Sequence, residues 1–309
     1  MYLNLFIVES PLQLLSAYEA INYFGIKKYK ILIRLSNSKE NDNQILKLLK
    51  CLKVKDMSYV FSLNAKNKTL LDYLKITFFK MLFFYLNKRV KKLFLGNFES
   101  GFMKILMKNI NKKKIILLDD GAKSIVIQSK FNNMNNFDFF TFFDLDPLEG
   151  QQIYSNSFSM LKNKIKNKEK ANFVLFLGTK LSELDIVSEE YYIRCIKEIA
   201  IYYIKTKIIY IPHREENKNK LKLLEKNISN LKIKKIDYPV ELFGLNESFI
   251  PQVVASFYST ALFTMNKIYC CNSNAFKFDY EKSIYKESID KVYHDYANKI
   301  KVLELNSVN

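Results

Sequence analysis

Lys114-Ile115-Ile116-Leu117-Leu118-Asp119-Asp120-Gly121-Ala122-Lys123-Ser124 is the stretch on which the reading of the fold turns. A basic flank leads into four consecutive aliphatic residues, two of them β-branched, which is how a strand buried on both faces reads. Two carboxylates and a glycine follow at once. In an open parallel sheet, ligands bind outside the carboxyl ends of the strands, so Asp119 and Asp120 fall at the rim of a site. Gly121 permits a turn with positive φ that aims one carboxylate into that site. Taken alone, the stretch also reads as an Asp-Gly turn between two strands, with Asp119 merely solvated.

Upstream, residues 3–8 form a short apolar run, a first buried strand. Glu9-Ser10-Pro11-Leu12-Gln13 then opens a helix, with Ser10 suited to the N-cap, Pro11 to the first helical position and Gln13 to the third, a capping-box arrangement. The same strand-to-helix turn faces the site if the sheet is parallel. Strands over 29–35 and 57–63 alternate with a helix over 43–52. Residues 69–92 read as one long helix rich in Phe and Lys. Its hydrophobicity is nearly circumferential, which suits either a core-facing helix with solvated lysines or a basic, aromatic face lying on an anionic bilayer. A strand over 91–95, a helix over 100–109 and the strand of 114–118 follow. Repeated strand–helix alternation without hairpin signals predicts a parallel α/β sheet.

Downstream, 137–143 is another apolar run, and Asp144-Leu145-Asp146-Pro147 reads as a turn rather than a metal-binding Asp-x-Asp. Residues 150–172, with Lys162, Lys164, Lys166, Lys168 and Lys170, are polar and charged and mark the domain boundary. A second α/β half begins at 173–177, a buried strand ending in Gly178-Thr179-Lys180, the layout that brings backbone N–H groups toward a nucleotide. After a helix over 188–205, the strand 207–211 ends in Pro212-His213-Arg214, which places a histidine where it meets a phosphate. Strands over 231–236 and 253–257 follow. The second delivers Tyr258-Ser259-Thr260 at the start of a helix over 261–265, where paired hydroxyls serve as an N-cap or as a phosphate cradle. A last strand is expected over 267–271 and a terminal helix over 282–303.

Composition bounds the function. With 309 residues, 49% hydrophobic, including 25 Phe and 20 Tyr, there is apolar material for two cores, and 7 Gly and 5 Pro argue against a loop-rich scaffold. The four cysteines show no C-x-x-C spacing, and with two histidines a Cys/His zinc cluster is excluded. They read as free thiols of a reducing cytoplasm. The N-terminal run meets Glu9 too early for a signal peptide, and no uncharged run reaches the roughly 18 residues of a membrane span. A formal charge of +18 asks for an anionic partner: nucleic acid, acidic lipid, or a nucleotide-bearing or acidic glycan substrate. The lysines are spread along the chain and no nucleic-acid motif is present, so a nucleic-acid partner is not expected.

In this order, the motifs resemble those of the bacterial sialyltransferases of the GT-B type. The nearest likeness is to the lipooligosaccharide sialyltransferases of glycosyltransferase family 52 and the capsule polysialyltransferases. Ser10-Pro11-Leu12-Gln13 is similar to their hydroxyl-Pro-Leu-Gln turn, Asp119-Asp120-Gly121 to their acidic-acidic-Gly motif, and Ile211-Pro212-His213 to their His-Pro motif, with Arg214 where proline is usual. Phe257-Tyr258-Ser259-Thr260-Ala261-Leu262 resembles their Ser-Ser/Thr motif.

The resemblance implies two Rossmann-like domains with parallel sheets facing a central cleft. These would be an acceptor-side domain over 1–155, a CMP-sugar-binding domain over 156–285, and a C-terminal helix over 286–309 that packs back on the first domain. It implies a metal-independent, inverting transfer from CMP-sialic acid to a surface glycan hydroxyl, by a cytoplasmic enzyme at the inner membrane face. Asp119 or Asp120 would be the base, with Glu183 or Asp185 as the alternative used in some members. His213 would assist the leaving phosphate, which Ser259 and Thr260 bind, while Glu241 holds the ribose hydroxyls. Gly178, Thr179 and Lys180 complete the donor side; Ser10, Gln13 and Gly121 lie on the acceptor side. Another CMP-nonulosonic acid as donor, polysialic chain extension, a UDP-sugar epimerase of the same fold and a non-enzymatic nucleic-acid binder are the alternatives.

Overall fold

The structure, a computed structural model, describes residues 3–64, 67–108, 115–121, 124, 127, 137–296 and 299–305. It divides into two units, Met1–Met160 with Asp237–Pro239, and Leu161–Ile236 with Val240–Asn309.

In the first unit, β1 (Leu3–Val8), β2 (Tyr29–Leu35), β3 (Ser58–Ser62), β4 (Val90–Leu95), β5 (Ile115–Leu118), β6 (Asp138–Thr141) and β7 (Ile153–Ser155) form one sheet in the order β3-β2-β1-β4-β5-β6-β7. Every neighbouring pair is parallel. Its described helices include α1 (Pro11–Tyr23), α2 (Lys39–Leu52), α3 (Leu70–Leu86) and α4 (Gly101–Met107), and α5 (Ser159–Ile165) crosses the division into the second unit. Both faces of the sheet are covered, so its central strands carry continuous apolar runs, and β5 is buried at all four positions. On one face Phe79 and Phe83 of α3 and Phe102 and Met103 of α4 pack on Leu5, Ile7, Leu93 and Leu117. Phe6 and Phe94, from neighbouring strands, stack with centroids 4.2 Å apart.

The second unit repeats the plan. β8 (Lys170–Leu177), β9 (Lys207–Ile211), β10 (Leu231–Ile233), β11 (Ile250–Ser256), β12 (Asn272–Lys277) and β13 (Lys301–Glu304) are all parallel, in the order β10-β9-β8-β11-β12-β13. Its helices are α6 (Glu189–Tyr202), α7 (Lys218–Asn227), α8 (Phe243–Asn246), α9 (Ala261–Tyr269) and α10 (Lys286–Tyr296). Each sheet therefore runs outward in both directions from its own first strand, and the chain reverses its direction of travel between β1 and β4 and between β8 and β11. That reversal opens a crevice at the carboxyl ends, the place where doubly wound sheets bind ligands.

The units divide between Met160 and Leu161, inside the charged stretch 150–172, which contains β7, α5 and the start of β8. Three expectations need correction. The helix expected over 69–92 stops at Leu86, and a 3₁₀ turn, Asn87–Arg89, precedes β4. Residues 267–271 are not a strand, because α9 continues to Tyr269 and Cys270 ends it with φ +48°, after which β12 begins. The terminal segment 282–303 is not one helix: α10 is followed by β13, which pairs with β12, and both fall in the second unit. Asn109, Lys114, Ala122, Lys123, Ala297 and Asn298, included in the expected elements, lie outside the described residues.

Candidate functional site

At the carboxyl end of the first sheet, one residue ties β1 to β5. Ser10 caps α1 by accepting the Gln13 N–H at 3.3 Å, and Pro11 takes the first helical position. The Gln13 side chain does not complete a capping box at Ser10. Its Oε1 accepts the Glu9 N–H at 2.8 Å and its Nε2 donates to Asp120 Oδ1 at 2.6 Å. Gly96, at the end of β4, makes room for it: a Cβ there would stand 2.2 Å from Gln13 Oε1. Glu9 is itself buried, accepting Arg34 Nη2 at 2.8 Å and the Ser100 hydroxyl at 2.6 Å.

The structure separates the two carboxylates of the opening stretch. Asp119 is wholly buried; Oδ1 accepts the Thr141 hydroxyl and Oδ2 accepts the Phe142 N–H at 3.0 Å, which fastens β5 to the end of β6. Both its oxygens are engaged within the fold. Asp120 is half-buried; its N–H donates to Ser124 Oγ at 2.9 Å, and it lines a pocket of about 190 Å³ with Gly96, Asn97, Phe98 and Glu99. Gly121 has φ +66°, the turn its residue type implies. Asp144–Pro147 is loop beyond β6.

In the second unit, Gly178 ends β8 and Pro212-His213 ends β9, joined by the Gly178 N–H donating to the Ile211 carbonyl at 2.8 Å. Beneath them lies a polar network that sequence reading missed. The Thr179 N–H donates to Tyr192 OH at 3.2 Å, Tyr192 OH lies 2.7 Å from Tyr210 OH, and Tyr210 OH donates to Glu216 at 2.6 Å. Glu216 also accepts the His213 N–H at 2.6 Å. Burial pushes both phenols well above their ordinary value, so they remain donors. Lys220, in the first turn of α7, is completely buried between Glu216 at 3.1 Å and Glu183 at 2.9 Å, over the Tyr192 ring at 3.9 Å. Gly178 is obligatory here, because a Cβ would stand 2.2 Å from a Glu216 carboxylate oxygen.

His213 is half-buried, and burial lowers its pKa from the ordinary value against the pull of Glu215, with Arg214 and Lys180 adding to the lowering. Its Nδ1 accepts the Glu215 N–H at 3.2 Å, so the neutral ring carries its proton on Nε2. Lys180 pairs with Glu215, whose carboxyl it holds below the usual range. Thr179 Oγ1 is buried without a partner among the described residues.

Of the alternative bases, Glu183 is engaged: burial opposes its ionisation, but the Asn217 N–H and Lys220 outweigh burial and hold its carboxyl below the ordinary value. Asp185 is an exposed residue at φ +53° in the loop after β8.

β11 pairs with β8 and delivers Ser259 and Thr260 to the same edge. The Ser259 backbone is held by Tyr296 OH, which accepts its N–H at 2.5 Å and donates to its carbonyl at 2.7 Å. Ser259 Oγ accepts the Ala261 N–H at 3.2 Å, and Thr260, the N-cap, makes no side-chain cap bond. Glu241 is buried next to α9, accepting the Thr264 hydroxyl at 3.1 Å, and burial raises its pKa. The carboxyl ends of β9, β8 and β11 thus set His213, Gly178–Lys180 and Ser259–Thr260 side by side, at strand spacings of about 4.8 Å. A row of donors on that scale suits a phosphate.

Two parallel sheets, each reversing beside its first strand, define the class: this is an α/β protein of the GT-B fold. The chain is similar to the MurG of Acinetobacter baumannii, at 10% identity over 100% of this chain and 88% of that one, with a TM-score of 0.50. It is also similar to a UDP-N-acetylglucosamine 2-epimerase from Listeria monocytogenes, at 10% identity over 97% and 91% and a TM-score of 0.57. The Neisseria meningitidis UDP-GlcNAc 2-epimerase gives 11% identity over 94% and 85% and a TM-score of 0.55. These likenesses carry the fold.

No curated protein matches the sequence. Residues 147–275 match the family model of the alpha-2,8-polysialyltransferases, a stretch that holds Gly178, His213, Glu241, Ser259 and Thr260. The chain thus has the GT-B fold and, over residues 147–275, is similar to the alpha-2,8-polysialyltransferases.

Proposed function

We propose that the protein transfers sialic acid from a CMP-linked donor to a glycan hydroxyl, with inversion. The observation that supports this reading most is the row formed by His213, Thr179 and Ser259–Thr260 on three adjacent strand ends, inside the stretch that matches the polysialyltransferases. In the reaction the bond from the sugar's anomeric carbon to the CMP phosphate breaks as the acceptor oxygen bonds to that carbon from the opposite face. Asp120, held through Gln13, takes the acceptor proton. His213 Nε2–H and the Ser259 and Thr260 hydroxyls meet the charge that develops on the leaving phosphate. These protein groups fill the role a divalent cation plays elsewhere, so the reading assigns none. Glu241 receives the ribose hydroxyls, with Thr264 fixing its carboxyl.

The acceptor in this reading is a lipooligosaccharide or capsule glycan, and the family match favours one that already ends in sialic acid. Calorimetry with CMP, UDP and GDP is the test, joined to a transfer assay with CMP-sialic acid on sialylated and asialo acceptors. Preference for CMP and release of CMP on transfer are expected. Binding of UDP in place of CMP would overturn the reading in favour of a UDP-sugar enzyme.

A further inference from the structure

The helix α3 is buried along the line Asp72, Ile76, Phe79 and Phe83, spaced i, i+4, i+7 and i+11, which is one face. On a surface helix the opposite face is ordinarily polar. Here it carries Leu70 at 79% exposure, Leu74 at 59%, Phe78 at 57%, Met81 at 69%, Phe84 at 76% and Tyr85 at 68%. At 3.6 residues per turn these side chains share about a third of the circumference. One helix thus has two apolar faces, and only the inner one is covered by this chain.

The charge around it says what covers the other. From residue 57 through 98 the sequence holds eight Lys and Arg and a single carboxylate, Asp72. Asp72 is turned inward, accepting from Thr69 and Asn64 to cap the helix. Lys68, Lys80, Lys88, Arg89 and Lys91 are exposed around the apolar face, and Arg89 lies over the Tyr85 ring at 5.4 Å. A second copy of the chain would bring the same basic rim against itself. An apolar stripe rimmed by cations, with aromatic rings at its end, is complementary to an anionic bilayer. At 17 residues, α3 is not a membrane span, and no helix among the described residues is long and apolar enough to cross a membrane.

We propose that the outer face of α3 lies in the interface of an anionic phospholipid membrane, with Leu74, Phe78 and Met81 among the acyl chains and the flanking lysines at the headgroups. This docking stands apart from the identity of the nucleotide sugar.

The chain contains no tryptophan, so Phe84→Trp places a single reporter on this face of the full-length protein. With vesicles of phosphatidylcholine and phosphatidylglycerol its emission should shift to the blue and resist an aqueous quencher. With phosphatidylcholine alone, or in high salt, the shift should shrink. Co-sedimentation of the otherwise unaltered chain should fall more than about tenfold in Leu74→Glu/Phe78→Glu, and roughly fivefold for each charge removed in Lys88→Gln and Arg89→Gln. Ile284→Glu, at an exposed site of the second unit, should change nothing, and circular dichroism checks each fold. Three results overturn the proposal: unchanged emission with both vesicles, a shift that follows protein concentration without lipid, or equal loss in Ile284→Glu.

Discussion

Asp119 and Asp120 are neighbours in sequence with different duties. Asp119 is buried and accepts from Thr141 and Phe142, so Asp119→Asn should lower stability by about 1–3 kcal/mol in urea denaturation, through an acceptor replaced by an unpaired amide. Asp120→Asn should melt like the parent and lose roughly 10²–10⁴ in turnover, measured by CMP release. The opposite assignment would place the base at Asp119. His213 is the second residue whose setting decides its chemistry. Its folded pKa lies below the unfolded value, so the folded protein binds fewer protons between the two. The stability it contributes is present above the unfolded value and is lost as pH falls through the folded one. With only two histidines, an NMR titration resolves it. One imidazole should titrate below 6.5, and the acid limb of kcat/KM should follow it; a value above 6.5 would refute the neutral-donor role.

At the scale of elements, the strand ends are set by networks rather than by single contacts. Lys220 on α7 holds Glu216, which supports the His213 backbone, and Glu183, which caps α7 through the Asn217 N–H. Removing one partner of a buried pair leaves the other charge uncompensated. Lys220→Met should therefore cost about 3–5 kcal/mol in denaturant unfolding, while CMP binding weakens with it. The start of α3 is fixed the same way. The Thr69 N–H and Asn64 amide hold the Asp72 carboxyl down to about 2, below its ordinary 3.8. The stability from Asp72 is thus full above its unfolded value and fades as pH falls from about 4 toward 2. Acid titration of Asp72→Asn should show a smaller loss over that window than the parent.

Across the whole molecule, the six strands of the second sheet repeat the order of the first six of the first sheet, and the residues proposed for the donor side all belong to the second unit. CMP at 100 times its dissociation constant should stabilise the folded protein by about 2.7 kcal/mol, read as a raised thermal midpoint. His213→Ala should lose part of that rise, whereas Asp120→Asn should keep it, since Asp120 lies outside the second unit. Equal rises for parent and His213→Ala would remove His213 from the nucleotide site.

The residues at the ends of β1, β5, β8, β9 and β11 were readable in the sequence, because an apolar strand followed by a polar turn is a local signal. The boundaries near 86 and 270 were not, because apolar residues continue through helix end and strand start alike. By itself the sequence determined the parallel α/β alternation and which turns face the carboxyl edge of each sheet, since both follow from periodicities of a few residues. Only the tertiary structure decided that Asp119 turns inward, that Gln13 reaches Asp120 across 107 residues, that Lys220 is buried, and that α3 shows apolar side chains on both faces. Each of those depends on what another part of the chain brings beside the residue, and a linear pattern does not carry that.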